Sequence, residues 1–193
     1  MNNSVKKATN ILQEGGVVIF PTDTVYGIGC RLDNEEAIKR IYKIRNRSQE
    51  KAVLAVVDSI AMAEKYLLPI PPEVRSKLLK KYWPGGLTVI LPCKVDIVPS
   101  AARAGGSTLA VRQTNHPVLL KIIKAVGVPL IAPSANFSGG ITPTSSEELD
   151  PKFAALSDFV LKGECGGNKP STIIDCSITP WKIVREGAVN VQF

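Results

Sequence analysis

Histidine is almost missing from this chain: His116 stands alone among 193 residues, beside four cysteines and only 6% aromatic residues. A metal site built from several histidines is therefore excluded, and a histidine-based triad has a single candidate. His116 precedes Pro117 at the start of an apolar helical run, so a local turn role is the simpler reading. Cys30, Cys93, Cys165 and Cys176 are scattered, with no C-x-x-C pair among them. Neither a disulfide framework nor a structural zinc site is expected. They read as small apolar residues or idle thiols.

Long hydrophobic spans are missing too. The longest stretch without a charge, residues 125–146, is 22 residues long and is broken by Pro129, Pro133, Pro143 and Gly139-Gly140. A bilayer-spanning helix of about 20 residues does not tolerate that density of breakers. Residues 1–10 are polar and lack the apolar centre of a secretory signal. A soluble, cytoplasmic protein without a membrane partner is expected. Repeats and low-complexity tracts are absent as well.

What is present is an ordinary globular balance, with 45% hydrophobic and 21% charged residues. That balance excludes a disordered or fibrous chain. The length fits a single domain over residues 1–193, able to bury roughly 70% of its unfolded surface. Lys and Arg number 24 against 17 Asp and Glu, a net charge of +7. Such an excess suits a phosphate-bearing ligand or an RNA surface. The few aromatics and the lack of an RNA-recognition signature weigh against the RNA-binding module.

Strand and helix patterns alternate along the chain. Val5, Ala8, Ile11 and Leu12 share one helical face, and Gly15-Gly16 ends that helix. Residues 17–20 read as a buried strand stopped by Pro21. Asp33 and Glu36 form the pattern of a capping box for a helix carrying Ile38, Ile41 and Tyr42. A strand is expected at 51–57, with Asp58 as N-cap of the helix beyond it. Further helices are expected at 73–82 and 117–126, and strands at 87–91, 108–112, 129–132, 159–161, 172–175 and 182–185. Residues 133–146 form a loop too long to be a mere connector. The class is mixed α/β.

Two nucleotide motifs fail. The segment Gly163-Glu164-Cys165-Gly166-Gly167-Asn168-Lys169-Pro170-Ser171 approaches a P-loop, but Asn168 and Pro170 flank Lys169 where Gly and Ser or Thr are needed. In Gly27-Ile28-Gly29 the third glycine of the dinucleotide fingerprint is replaced by Leu32. Two other segments stay open. The cluster from Arg45 through Arg47 to Lys51 suits a polyphosphate, since guanidinium forks match phosphate oxygens. It is equally a solvated helix C-terminus offsetting the dipole. The loop Pro133-Ser134-Ala135-Asn136-Phe137-Ser138-Gly139-Gly140 follows a buried strand, where α/β sheets gather ligands. It is equally an Asx/Ser turn. Thr22, Thr24 and Tyr26 occupy a similar strand-end position, which suggests a shared pocket.

At these residues the chain resembles the YrdC/TsaC-type threonylcarbamoyl-AMP synthases. The motifs are Pro21-Thr22-Asp23-Thr24-Val25-Tyr26-Gly27, Trp83-Pro84-Gly85-Gly86-Leu87-Thr88, Thr108-Leu109-Ala110-Val111-Arg112 and Ser134-Ala135-Asn136-Phe137-Ser138-Gly139. Pro170-Ser171-Thr172-Ile173-Ile174-Asp175 and Arg185-Glu186-Gly187-Ala188 follow in the family's order. Each is weak alone; six in order are specific.

The resemblance implies a twisted, open mixed sheet with flanking helices and a concave basic cleft, in a short single-domain form. It implies synthesis of threonylcarbamoyl-adenylate and pyrophosphate from L-threonine, bicarbonate and ATP. The product feeds threonylcarbamoyl modification of tRNA through downstream transfer proteins, and a weak tRNA contact fits the charge. Mg²⁺ is expected with ATP, and no tightly bound organic cofactor. Carried over by motif, Arg45, Arg47, Lys51, Ser134 and Asn136 form the catalytic, phosphate-holding group. Thr108, Thr144 and Arg185 contact the nucleotide, and Thr24, Arg112 and Ser171 contact threonine, with Ser134 near it. The family's Lys-x-Arg is here Arg45-Asn46-Arg47, which keeps charge but changes donor geometry. Ala52 and Gly86 replace family prolines. Carbamoyl-adenylate chemistry of the hydrogenase-maturation kind is the related alternative, but those proteins carry zinc-finger and acylphosphatase segments that this sequence lacks.

Overall fold

The computed structural model describes residues 3–50 and 52–193. Lys51 lies outside the described residues. Among them, one mixed sheet holds nine strands: β1 (Val18–Phe20), β2 (Gly27–Arg31), β3 (Leu54–Val57), β4 (Leu87–Pro92), β5 (Thr108–Gln113), β6 (Leu130–Ile131), β7 (Phe159–Val160), β8 (Thr172–Asp175) and β9 (Lys182–Arg185). Their spatial order is β7-β1-β2-β6-β3-β5-β4-β8-β9. The pairs β1–β7, β3–β5 and β4–β8 are parallel, and the others antiparallel. This matches the mixed α/β class expected from the sequence.

The central strands are apolar along most of their length because they are covered on both faces. Val56, Val89, Leu91, Leu109 and Val111 are fully buried or nearly so. The helix Asn3–Gln13 buries Val5, Ala8 and Leu12, and Glu35–Arg45 buries Ile38, Ile41 and Tyr42. Residues 72–82 form one helical run whose middle, Arg75–Leu79, is π-helical. No helix among the described residues is long and apolar enough to cross a membrane.

Two local expectations are corrected. Asn34, not Asp33, caps the helix Glu35–Arg45: its Oδ1 accepts from the Ala37 N–H at 3.0 Å. Asp33 is drawn instead to Arg31, whose Nε donates to it at 2.9 Å. Ser59 rather than Asp58 caps Ile60–Tyr66, accepting from the Met62 N–H at 3.1 Å while donating to Asp58 at 2.6 Å. The Gly27-Ile28-Gly29 segment, which fails as a dinucleotide fingerprint, lies within the interior strand β2. Its glycines answer a packing need: a Cβ on Gly29 would lie 2.2 Å from the Ile131 carbonyl oxygen and 2.6 Å from the Phe20 ring.

Candidate active site

Loops at the ends of β1 and β6, the end of helix Glu35–Arg45 and the last two strands enclose a cleft of about 450 Å³. The charged side chains lining it, among the described residues, are Arg45, Arg47, Arg112 and Arg185. Thr22, Thr24, Ser134, Asn136 and Ser171 supply most of its polar side chains.

Arg45 is the last residue of its helix, and Asn46 turns the chain away in the left-handed region at φ 53°. Only 4% exposed, Arg45 donates from Nε to the Asn136 carbonyl at 3.1 Å. Its Nη2 lies 3.2 Å from both Ser134 Oγ and Asn136 Oδ1. The loop answers by donating the Ser138 N–H to the Arg45 carbonyl at 2.7 Å. Helix end and loop therefore form one rigid unit. Arg47, half-buried one step further on, donates to the Ala52 carbonyl at 3.1 Å.

The turn after β1 is organised by Thr22. Its hydroxyl donates to the Val25 carbonyl at 2.8 Å, accepts from the Thr24 N–H at 3.0 Å and lies 3.0 Å from the Thr24 hydroxyl. With the Thr22 proton committed to Val25, the Thr24 hydroxyl must donate to Thr22. That leaves the lone pairs of Thr24 Oγ1 as acceptors on the cleft wall. Arg112, on β5, is 1% exposed and its Nη1 donates to Asp23. Its Nε–H, buried, has no partner among the described residues. On the opposite wall the Ser171 hydroxyl lies 2.8 Å from Thr88, and Arg185 donates from Nε and Nη2 to the Ser171 carbonyl at 3.0 and 2.7 Å.

The cations press on one another. Burial, then Arg47 and Arg185, push the Arg45 guanidinium down to about 10, leaving it charged at neutral pH. Burial, with Arg112 and Arg47, lowers Arg185 likewise. All four cysteine thiols are pushed up, burial being the largest cause in each. None is a ready nucleophile at neutral pH.

The cleft thus brings together Thr24, Arg45, Arg47, Arg112, Ser134, Asn136, Ser171 and Arg185. Thr108 shares a strand face with Ala110 and Arg112 but lies beyond the lining, opposite Pro92. Thr144 also stands outside it, its N–H and hydroxyl both donating to Glu148 at 2.7 and 2.9 Å. The role expected for Lys51 falls outside the described residues. Sequence reasoning gave no role to Asp23, Thr88 or Thr114. The signal for Asp23 was a single carboxylate set among hydroxyls in a turn facing several arginines.

The sequence matches the Sua5_yciO_yrdC family, described as telomere recombination, over residues 10–187. The chain belongs to this family. Among its relatives, the threonylcarbamoyl-AMP synthase of Bacillus subtilis is 36% identical over 192 residues, covering 97% of this chain and 54% of that protein. That of Marinobacter nauticus is 37% identical over 162 residues, covering 83% and 85%. The crystal structure of Pyrococcus abyssi Sua5 complexed with L-threonine superposes with a TM-score of 0.89 at 35% identity, covering 95% of this chain and 54% of that one. Escherichia coli YciO superposes at 0.85 with 26% identity, covering 96% and 90%. This chain therefore spans about half the length of several Sua5 relatives and nearly all of YciO. The sheet and flanking helices are those of the Sua5/YciO/YrdC fold.

Proposed function

We propose that the protein is a threonylcarbamoyl-AMP synthase. The observation that carries this reading is the juxtaposition of four arginines with the acceptor Thr24 in one cleft. The similarity to synthases of that name, and to a Sua5 complexed with L-threonine, supports it.

In this reading the side-on edge of Arg112 takes the carboxylate of L-threonine as a fork. Thr24 accepts from its nitrogen, and Ser171 closes the other side. The amine and bicarbonate condense to a carbamate with loss of water. A carbamate oxygen then attacks the α-phosphorus of ATP, the bond to the bridging oxygen breaks and pyrophosphate leaves. Such a step needs alignment and charge stabilisation more than a covalent nucleophile. Arg45, Arg47 and Lys51, with Ser134 and Asn136, hold the phosphates; Arg185 neutralises charge from the far wall. Thr108 and Thr144 extend the nucleotide contacts beyond the present lining. Mg²⁺ arrives on the ATP phosphates and lowers their charge. The product passes to the proteins that transfer threonylcarbamoyl to tRNA, and the enzyme acts in the cytoplasm beside them.

The test is pyrophosphate release from ATP and Mg²⁺ with threonine and bicarbonate omitted in turn. Release that requires both is the expected result. Release with bicarbonate but no amino acid points to another carbamoylating activity, and no release from folded protein moves the assignment to RNA binding.

A further inference from the structure

Asp23, the partner of Arg112, lies behind the cleft wall rather than in it: Arg112 is part of the lining and Asp23 is not. Its side chain is 4% exposed, and Arg112 in the pair is 1% exposed. Asp23 is also held from its other oxygen, where the Thr114 hydroxyl donates to Oδ1 at 2.5 Å. Thr114 in turn accepts the His116 N–H at 3.1 Å. The carboxylate is fixed on both sides before any ligand enters.

A cover keeps water from this pair. The glycine-rich segment from Gly163 to Gly167 crosses the turn, with the Gly166 N–H donating to the Thr22 carbonyl at 2.9 Å. A Cβ on Gly166 would lie 3.1 Å from Asp23 Cα, so a larger residue would lift the segment. Tyr26 anchors one end, its hydroxyl donating to the Gly163 carbonyl at 2.6 Å and accepting from the Gly163 N–H at 2.9 Å. His116 anchors the middle. Its Nδ1 accepts the Leu119 N–H at 3.3 Å, which puts the proton on Nε2, 3.0 Å from the Glu164 carbonyl. The segment that fails as a P-loop is thus the roof over Asp23.

We propose that Asp23 is a positioning residue for substrate binding, acting through Arg112. Asp23 occupies Nη1 and leaves the side-on edge, whose buried Nε–H has no partner among the described residues, for the ligand carboxylate. A guanidinium held at one edge loses less freedom when the other edge binds, so the fork is preorganised. This assignment rests on the reading of L-threonine as substrate.

Charge and position pull in opposite directions here, and that makes the sign of the effect diagnostic. Were Asp23 only a counterweight to the arginines, removing its charge would tighten binding of an anion. A positioning role predicts weaker binding. Calorimetric titration with L-threonine, and separately with ATP, is made on the wild type and on Asp23→Asn, Thr114→Val, Arg112→Ala and Asp23→Asn/Arg112→Ala. Asp23→Asn is expected to weaken L-threonine about tenfold, the loss of one charge-assisted contact, with ATP changed by less than about twofold. Thr114→Val, a milder change that removes one tether, is expected to weaken it about threefold. In the Arg112→Ala background, Asp23→Asn is expected to add nothing, because the two act as one unit.

Unchanged or tighter L-threonine binding by Asp23→Asn overturns the assignment while leaving the substrate reading intact. Equal losses for L-threonine and ATP, or a full penalty in the Arg112→Ala background, also overturn it. If Asp23→Asn does not fold, Thr114→Val decides on the same criteria. A folded wild type that binds ATP but no L-threonine overturns both the reading and the assignment.

Discussion

Replacing Arg112 with alanine is expected to lower kcat/KM for threonine-dependent pyrophosphate release by about a thousandfold, with most of the loss in the KM for threonine. Two effects combine. The ligand carboxylate loses its fork, and Asp23 is left as a buried carboxylate without its cation. Breaking a buried ion pair from one side costs about 3–5 kcal/mol. For a chain of this size that lowers Tm by about 10 °C. Kinetics are therefore measured well below the variant's own unfolding transition, located by circular dichroism. Arg112→Lys keeps the charge but not the planar edge, and is expected to recover stability more than activity. An unchanged threonine KM in Arg112→Ala would remove the residue from the substrate site.

Arg45 and Arg47 lie two residues apart and should fail differently. Arg45→Ala removes three hydrogen bonds to the Ser134–Asn136 loop, a loss of about 2–4 kcal/mol. Activity is expected to fall at least a hundredfold, because the loop residues proposed to hold phosphate lose their anchor as well as a neighbouring charge. Arg47 is half-buried, and Arg47→Ala is expected to change stability by less than about 1 kcal/mol. Its activity should nonetheless fall about a hundredfold, with Lys51→Ala behaving similarly by the family match. Urea unfolding and a pyrophosphate assay on each variant separate the two patterns. Wild-type turnover in Arg47→Ala would exclude it from the phosphate site.

How far the sequence could be read depended on the range of the interactions involved. Apolar runs announced β4, β5 and β8, and the pair His116-Pro117 announced a helix start, because burial and caps are local. Strand β2 was hidden because Gly27 and Gly29 look like loop residues until Phe20 and Ile131 are seen pressing on them. Asn34 displaced Asp33 as a cap through an ion pair two residues back. The gathering of Arg112, Ser134, Ser171 and Arg185 around one cleft was not visible in spacing, and entered only as what the family motifs imply. Asp23 stood out only as a carboxylate set among hydroxyls, and its partners, Arg112 on β5 and Thr114 just past its end, were not legible from that. Arg45 illustrates the limit best: its charge was evident, but its attachment to Asn136 was not.

The ties that build the cleft join distant parts of the chain. Asp23 meets Arg112 across 89 residues, Arg45 meets Asn136 across 91, and Thr88 meets Ser171 across 83. Parallel pairings such as β4 with β8 impose the same long separations. Loop closure makes contacts of this kind costly to form early, so low φ-values are expected for the cleft side chains. Substitutions in the cleft should then accelerate unfolding while leaving the refolding rate nearly untouched. The same side chains that would hold the substrates thereby set how long the native state lasts once formed.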